Sequence, residues 1–100
     1  RLSDSTKSRL DLIALYIKND PSVISVFVDG HSDSFGRRLA NRDLSRDRAE
    51  AVSRYLSKIG VPDEMVTTRY HGERYPVVAN NSSENRARNR RVTVRLEREE

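Results

Sequence analysis

The chain has 100 residues, a length that suits one domain and is too short for two. Hydrophobic residues make up 35% of it and charged residues 34%. This balance fits a thin two-layer domain, and no apolar run approaches the roughly 20 residues of a transmembrane helix. The absence of Cys excludes disulfides, thiol catalysis and Cys-ligated metal, and the formal net charge of +4 suits an anionic partner. Because the chain opens at Arg1 without an initiator Met or a signal segment, we expect residues 1–100 to form a single domain of a longer protein.

The first predicted elements are a helix, a strand and a loop. The helix runs from Ser3 or Asp4, either of which can cap it, to Asn19, because apolar residues recur at helical spacing. Residues 23–28, apart from Ser25, are β-branched and aromatic with both faces apolar, which predicts a central strand. Small and flexible residues over 30–36 predict a loop at the carboxyl end of this strand, where open α/β sheets usually bind ligands.

The second half of the chain predicts another long helix followed by shorter elements. The helix covers residues 41–59, and Gly60 is its left-handed stop. The shorter elements begin with a strand at 66–70 and an ordered loop at 71–81. A short helix with a capping box between Asn81 and Glu84 follows, and then a strand at 92–97 with one solvent-exposed face. Together these elements predict an α/β two-layer sandwich with helices on one face of a mixed sheet.

One charged residue interrupts the apolar stripe expected of the second helix. Leu44 and Val52 are apolar, but Arg48 stands between them at the same helical spacing. An unpaired guanidinium on a half-buried face costs roughly several kcal/mol, so an acidic partner is expected. Either Arg48 forms an internal salt bridge with Asp33 or Asp29, or Asp33 and Arg48 face each other across a cleft. Such a cleft would hold the ammonium and the carboxylate of an amino-acid-like ligand.

Backbone amides of the predicted loop offer further contacts to a ligand. Amides near Gly30, Ser34 and Gly36 would bind additional carboxylate oxygens, as backbone nests do.

Two blocks of the sequence resemble the OmpA-like domain family. The first resembles the pattern T/S-D-x-x-G followed by N-x-x-L-S-x-x-R-A-x-x-V, and the second resembles the family's ending N-R-R-V. The resemblance covers residues 2–96. The residues that carry it are Ser32, Asp33, Gly36, Asn41, Leu44, Ser45, Arg48, Ala49 and Val52, then Gly72, Glu73, Pro76, Asn80, Glu84, Arg86, Asn89, Arg90, Arg91 and Val92.

The resemblance implies a ligand site and the residues in it. Asp33 matches the family's ligand aspartate, Arg48 its ligand arginine and Asn41 a supporting asparagine at the loop-helix junction. Ser34 and Leu44 complete the expected ligand-binding set.

The same resemblance implies a fold and a role. The fold is β/α/β/α/β-β, and the role is non-catalytic binding of the Gram-negative peptidoglycan stem peptide through its diaminopimelate, with no cofactor and no metal. The domain would anchor a flagellar motor or outer-membrane protein in the periplasm, without entering the membrane itself. Two features depart from the family: Ala40 replaces a frequent aromatic residue, and the family's first strand is missing before Leu2.

Three other functions compete with this interpretation. Arginines crowd residues 86–98, but interspersed glutamates and the lack of aromatic residues there disfavour nucleic-acid binding. His31, Asp33, His71 and Glu73 are conceivable acid-base or metal groups. No nucleophile elbow, zinc motif or phosphate loop accompanies them, so we expect no enzyme and read both histidines as loop residues satisfied by backbone or water. The third is a purely structural assembly domain whose Asp33–Arg48 pair is an internal salt bridge.

Overall fold

A computed structural model describes residues 2–34 and 37–99 of the chain. Phe35 and Gly36, which belong to the predicted loop, lie outside the described residues. The elements are, in order, α1 (Asp4–Asn19), β1 (Val23–His31), α2 (Arg38–Lys58), a 3₁₀ turn (Asp63–Met65), β2 (Val66–Tyr70), α3 (Ser83–Asn89) and β3 (Arg91–Arg98).

The strands form a three-stranded mixed sheet in the order β2-β1-β3. The central strand β1 runs parallel to β2 and antiparallel to β3, so that Val28 lies between Thr68 and Val94. This is the predicted mixed α/β architecture. The strand that the resemblance places before α1 has no counterpart among residues 2–34 and 37–99.

The core lies between the sheet and the two long helices. Val26 and Val28 are fully buried in one cluster with Leu10 of α1 and Leu56 of α2. Successive strand residues point to opposite faces, so Phe27 projects from the other side of the sheet. There the guanidinium groups of Arg69 and Arg95 lie 4.8 and 4.5 Å from its ring centroid. The long helices therefore cover one face of the sheet, as predicted.

Helix α2 is rotated relative to the predicted apolar stripe. Leu44 was expected to be buried but is 47% exposed. Val52 and Leu56 are buried, as the stripe predicts, and the other residues that α2 buries are Asn41, Ser45 and Ala49.

A glycine in β1 explains this rotation. A Cβ atom at Gly30 would overlap the backbone carbonyl of Ser45 and come within 3.0 Å of the Ala49 Cβ atom. The helix and the strand thus approach each other closely where all three residues are small, and this contact sets which face of α2 is buried.

The boundaries of several elements differ from the prediction. β1 continues past the apolar run to His31, because its backbone remains paired with β3 at Asp29 and His31. α2 begins at Arg38 rather than Asn41, which places Asn41 inside the first turn of the helix. α3 is capped by the Ser82 side chain, which accepts from the Asn85 amide, and not by Asn81.

The cap at the start of α1 and the glycine stop after α2 follow the prediction. The Ser3 side chain caps α1 by accepting a hydrogen bond from the Thr6 amide. After α2, Gly60 has a φ of +108°, and Val61 N donates to Leu56 O across the turn.

Candidate functional site

Asp33 follows β1 directly and is 5% exposed. Its Oδ2 atom accepts a hydrogen bond of 2.6 Å from Nη1 of Arg90, which lies between α3 and β3. Among the described residues there is no Asp33–Arg48 ion pair within 4.0 Å, which argues against the alternative in which these two side chains form an internal salt bridge. The buried carboxylate is held by a cation from the other end of the chain.

Two nitrogen atoms of α2 are buried without a hydrogen-bond partner in the described structure, Nδ2 of Asn41 and Nη1 of Arg48. Both side chains are hydrogen-bond donors, and the seven-residue spacing brings them to about the same face of the helix. Helical side chains lean toward the N-terminus, so Arg48 reaches back in the direction of Asn41. A buried donor without an acceptor costs about 1–3 kcal/mol, and more when it is charged. This face of α2 therefore favours an acceptor such as a carboxylate.

Arg48 also lines an open groove of about 680 Å³ between α1, α2 and β3. Leu44 and Arg90 belong to the same groove, whereas Asp33 and Asn41 do not line it among the described residues. The hydrogen bond between Arg90 and Asp33 connects the groove with the buried carboxylate.

A second polar cluster lies on the sheet face away from α1 and α2. Asp29 accepts hydrogen bonds of 2.7 and 3.0 Å from Arg69, and Nε2 of His71 lies 2.7 Å from Asp29 Oδ1. Burial alone would raise the pKa of Asp29, but the bonds from Arg69 and His71 outweigh burial and hold this pKa below its ordinary value. The suggested Asp29–Arg48 salt bridge is therefore also wrong, because the partners of Asp29 are Arg69 and His71.

Of the two histidines, His71 lies in a loop as predicted but His31 does not, and both contact other side chains. His31 lies in β1, is buried, and stacks on His71 with the ring centroids 5.1 Å apart. Burial, together with nearby Arg91 and His71, lowers the pKa of His31 to about 4, so His31 is neutral at neutral pH. Its Nδ1 atom and Nε of the cross-strand neighbour Arg91 are both buried without a partner in the described residues.

The remaining predicted site residues are at the surface or outside the described part. Ser34 is exposed and follows Asp33 in the loop. Gly36, one of the residues expected to offer a backbone amide, lies outside the described residues, and Gly30 belongs to β1.

Arg90 was not in the predicted site. Asp33 and Arg90 are 57 positions apart, so no local pattern connects them. The signal available in the sequence was the second block of the OmpA-like pattern, whose ending N-R-R-V includes Arg90.

Residues 2–34 and 37–99 contain no group of three or more His, Asp or Glu side chains placed to hold a metal ion. Within the same part of the chain, no helix has the length and apolar character needed to cross a membrane.

The fold and the sequence blocks together define the class of protein. The OmpA family model matches residues 1–90, and the chain belongs to that family. The sodium-type flagellar protein MotY of Vibrio parahaemolyticus is 30% identical over 98 residues. This match covers 98% of the present chain and 33% of MotY, so the chain spans about a third of that relative.

Two solved structures share the fold over nearly the whole chain. The peptidoglycan-associated lipoprotein from Burkholderia pseudomallei has a TM-score of 0.89 and 30% identity, and the match covers 96% of this chain and 80% of that one. The cell wall anchor of the T6SS from Pseudomonas aeruginosa has a TM-score of 0.83 and 31% identity, covering 98% of this chain and 70% of that one. By their names, one of these relatives associates with peptidoglycan and the other anchors to the cell wall.

Proposed function

We propose that the chain is a non-catalytic domain that binds the peptidoglycan stem peptide through diaminopimelate. The observation that carries this proposal is the pair of buried donors without partners on α2, Nδ2 of Asn41 and Nη1 of Arg48. A carboxylate placed between them would satisfy both, and a guanidinium binds carboxylates through a planar fork of N–H groups.

Asp33 would receive the ammonium group of the same ligand. A carboxylate accepts several hydrogen bonds, so Asp33 can bind a second cationic group while Arg90 holds its Oδ2 atom. Opposite charges at Asp33 and Arg48 match the ammonium and carboxylate on one carbon of diaminopimelate. Exposed Ser34 and Leu44 would border the ligand at the rim.

The relatives support a role in anchoring a larger protein. The peptidoglycan-associated lipoprotein and the T6SS cell wall anchor have the same fold, and MotY is a flagellar protein. We therefore propose that residues 1–100 act as one domain that tethers a flagellar motor or outer-membrane protein to the wall in the periplasm. Binding of a single amino-acid residue is weak. Several copies of the domain, bound to the repeated stem peptides of the wall, would be retained more strongly through avidity.

Co-sedimentation with purified peptidoglycan sacculi tests the proposal. Wild-type protein should pellet with sacculi, and Asp33→Asn or Arg48→Met should reduce the bound fraction about tenfold or more, because each variant removes a charge that a ligand group needs. Arg54→Gln is the matched control, since Arg54 is an exposed arginine on the same helix and should leave binding unchanged.

Two outcomes would contradict the proposal. One is wild-type protein that stays in solution with sacculi while remaining folded. The other is release of soluble wall fragments during incubation, which would show that the domain cleaves its ligand.

A further inference from the structure

An arginine-rich cavity lies beside the start of α2, apart from the groove that Arg48 lines. It has a volume of about 730 Å³ and is formed by the first turns of α2, the end of β2 and the residues after it. Its lining residues that matter here are Arg38, Arg42, Tyr70, Glu73 and Arg74. We refer to these five residues as the arginine pocket.

Two of its guanidinium groups are positioned by aromatic rings. The Cζ atom of Arg42 lies 5.3 Å from the Tyr70 ring centroid, and that of Arg74 lies 5.9 Å from the Tyr75 centroid. A guanidinium held over a ring keeps the N–H groups at its edge available for hydrogen bonds. The arginines are thus oriented without being neutralised.

The backbone beneath Arg42 is also fixed. Gly72 has a φ of +59°, and a Cβ atom there would lie 3.4 Å from the Arg42 backbone. Gly72 N donates to the Ser45 side chain, and Gly72 O accepts from Ser32 N, so the pocket wall is tied to both α2 and the segment before Asp33.

The pocket has an excess of positive charge. Within the described residues, none of Arg38, Arg42 and Arg74 forms an ion pair within 4.0 Å, and Glu73 is the one carboxylate in the lining. The adjoining N-terminus of α2 has no side-chain cap and no acidic residue in its first turn, so its partial positive charge adds to that of the arginines.

We infer that the arginine pocket binds an oxyanion, a carboxylate or phosphate group, through the guanidinium forks of Arg42 and Arg74. This inference goes beyond the proposed function, because the pocket shares no lining residue with the groove of Arg48 within the described structure. Glu73 opposes the anion and sets a limit on its affinity.

Titration of the folded domain with inorganic phosphate at constant ionic strength tests the inference by NMR. Saturable shifts are expected at the Gly72 amide and at the side-chain N–H groups of Arg42 and Arg74. Arg42→Gln should weaken binding about tenfold, and Arg42→Lys should weaken it less, because Lys keeps the charge but lacks the fork. Glu73→Gln should strengthen binding, an effect that a merely structural role for these residues would not produce.

Arg54→Gln, on the same helix but away from the pocket, should bind phosphate as wild type does. Shifts that rise linearly without saturation, or that are the same in Arg42→Gln and Arg54→Gln, would show general counterion screening and overturn the inference.

Further arms identify which molecule carries the oxyanion. A loss of sacculus binding in Arg42→Gln identifies the wall, and a loss of binding to phosphatidylglycerol vesicles identifies a lipid headgroup. If only the phosphate titration changes, the pocket binds a free anion. If Arg48→Met abolishes sacculus binding while phosphate binding persists, the two sites are independent, and failure of one does not imply failure of the other.

Discussion

At the scale of single residues, Arg90 and Arg48, which line the same groove, differ in their partners. Arg90 has an acceptor, the buried carboxylate of Asp33, at 2.6 Å. Arg48 has a buried nitrogen with no acceptor within the described residues. Arg90 pairs with a buried carboxylate, whereas the buried nitrogen of Arg48 costs free energy for as long as it lacks an acceptor. We propose that a ligand carboxylate supplies this acceptor.

This difference predicts opposite stability changes for the two arginines. Arg48→Met should leave the free energy of unfolding unchanged or raise it by about 1 kcal/mol, since an apolar chain of similar length replaces an unsatisfied buried group. Arg90→Met should lower it by about 1 kcal/mol, a modest loss because Arg90 is 43% exposed. Urea denaturation of both variants measures the effect. A large destabilisation by Arg48→Met would indicate that Arg48 is a structural residue.

At the scale of elements, the contact between β1 and α2 positions the site. Gly30 allows the helix to approach at Ser45 and Ala49, and this approach determines that Asn41 is buried and Leu44 is not. The same contact places Arg48 at the edge of the buried face, where part of its guanidinium is enclosed.

Gly30→Ala should therefore destabilise the domain more than a substitution at a glycine whose added Cβ atom meets no neighbouring atom. The added Cβ atom would overlap the Ser45 carbonyl, so we expect a loss of about 2–3 kcal/mol or failure to fold. Gly60→Ala is the comparison, because Gly60 has open space around it and a φ of +108°, and should cost about 1 kcal/mol. Chemical denaturation measures the free energy of unfolding of both variants. Equal losses in the two would contradict a close β1–α2 contact at Gly30.

The elements also show what could be predicted from the sequence. The helices and the strands followed from periodicity and caps, because those signals are local, and the mixed sheet followed from the order of these elements. The rotation of α2 could not be predicted, since a stripe containing Leu44 is more apolar than the stripe of small residues that packs on Gly30. The Asp33–Arg90 bond was missed because its partners are 57 positions apart.

At the scale of the whole molecule, ionisable groups whose pKa values are shifted by folding make stability dependent on pH. The pKa of His31 is lowered to about 4 by burial and by nearby Arg91 and His71, below its ordinary 6.5, while Asp29 opposes this shift. As pH falls, the unfolded chain takes up this proton first, so stability present above about pH 6.5 is lost progressively toward about pH 4. The pKa of Asp20, lowered to about 2 by hydrogen bonds with Ser22 and Tyr16, contributes a further loss only below its ordinary value of 3.8.

The free energy of unfolding should thus fall by up to about 3 kcal/mol between neutral pH and about pH 4. Denaturation curves at several pH values measure this slope. In His31→Gln the slope between about pH 6.5 and about pH 4 should flatten, because the titrating group is gone. An unchanged slope in that variant would assign the pH dependence to other groups.

We propose that Asp33 and Arg48 bind opposite charges on one diaminopimelate residue. The most direct test of this binding is an NMR titration of the domain with a stem tripeptide containing diaminopimelate, compared with the same tripeptide containing lysine. We predict saturable shifts at the Asn41 side-chain amide and the Arg48 guanidinium, and binding of the lysine peptide at least about tenfold weaker, because lysine lacks the carboxylate that these donors would bind. Equal affinity for the two peptides, or saturation without shifts at Asn41 and Arg48, would contradict the account.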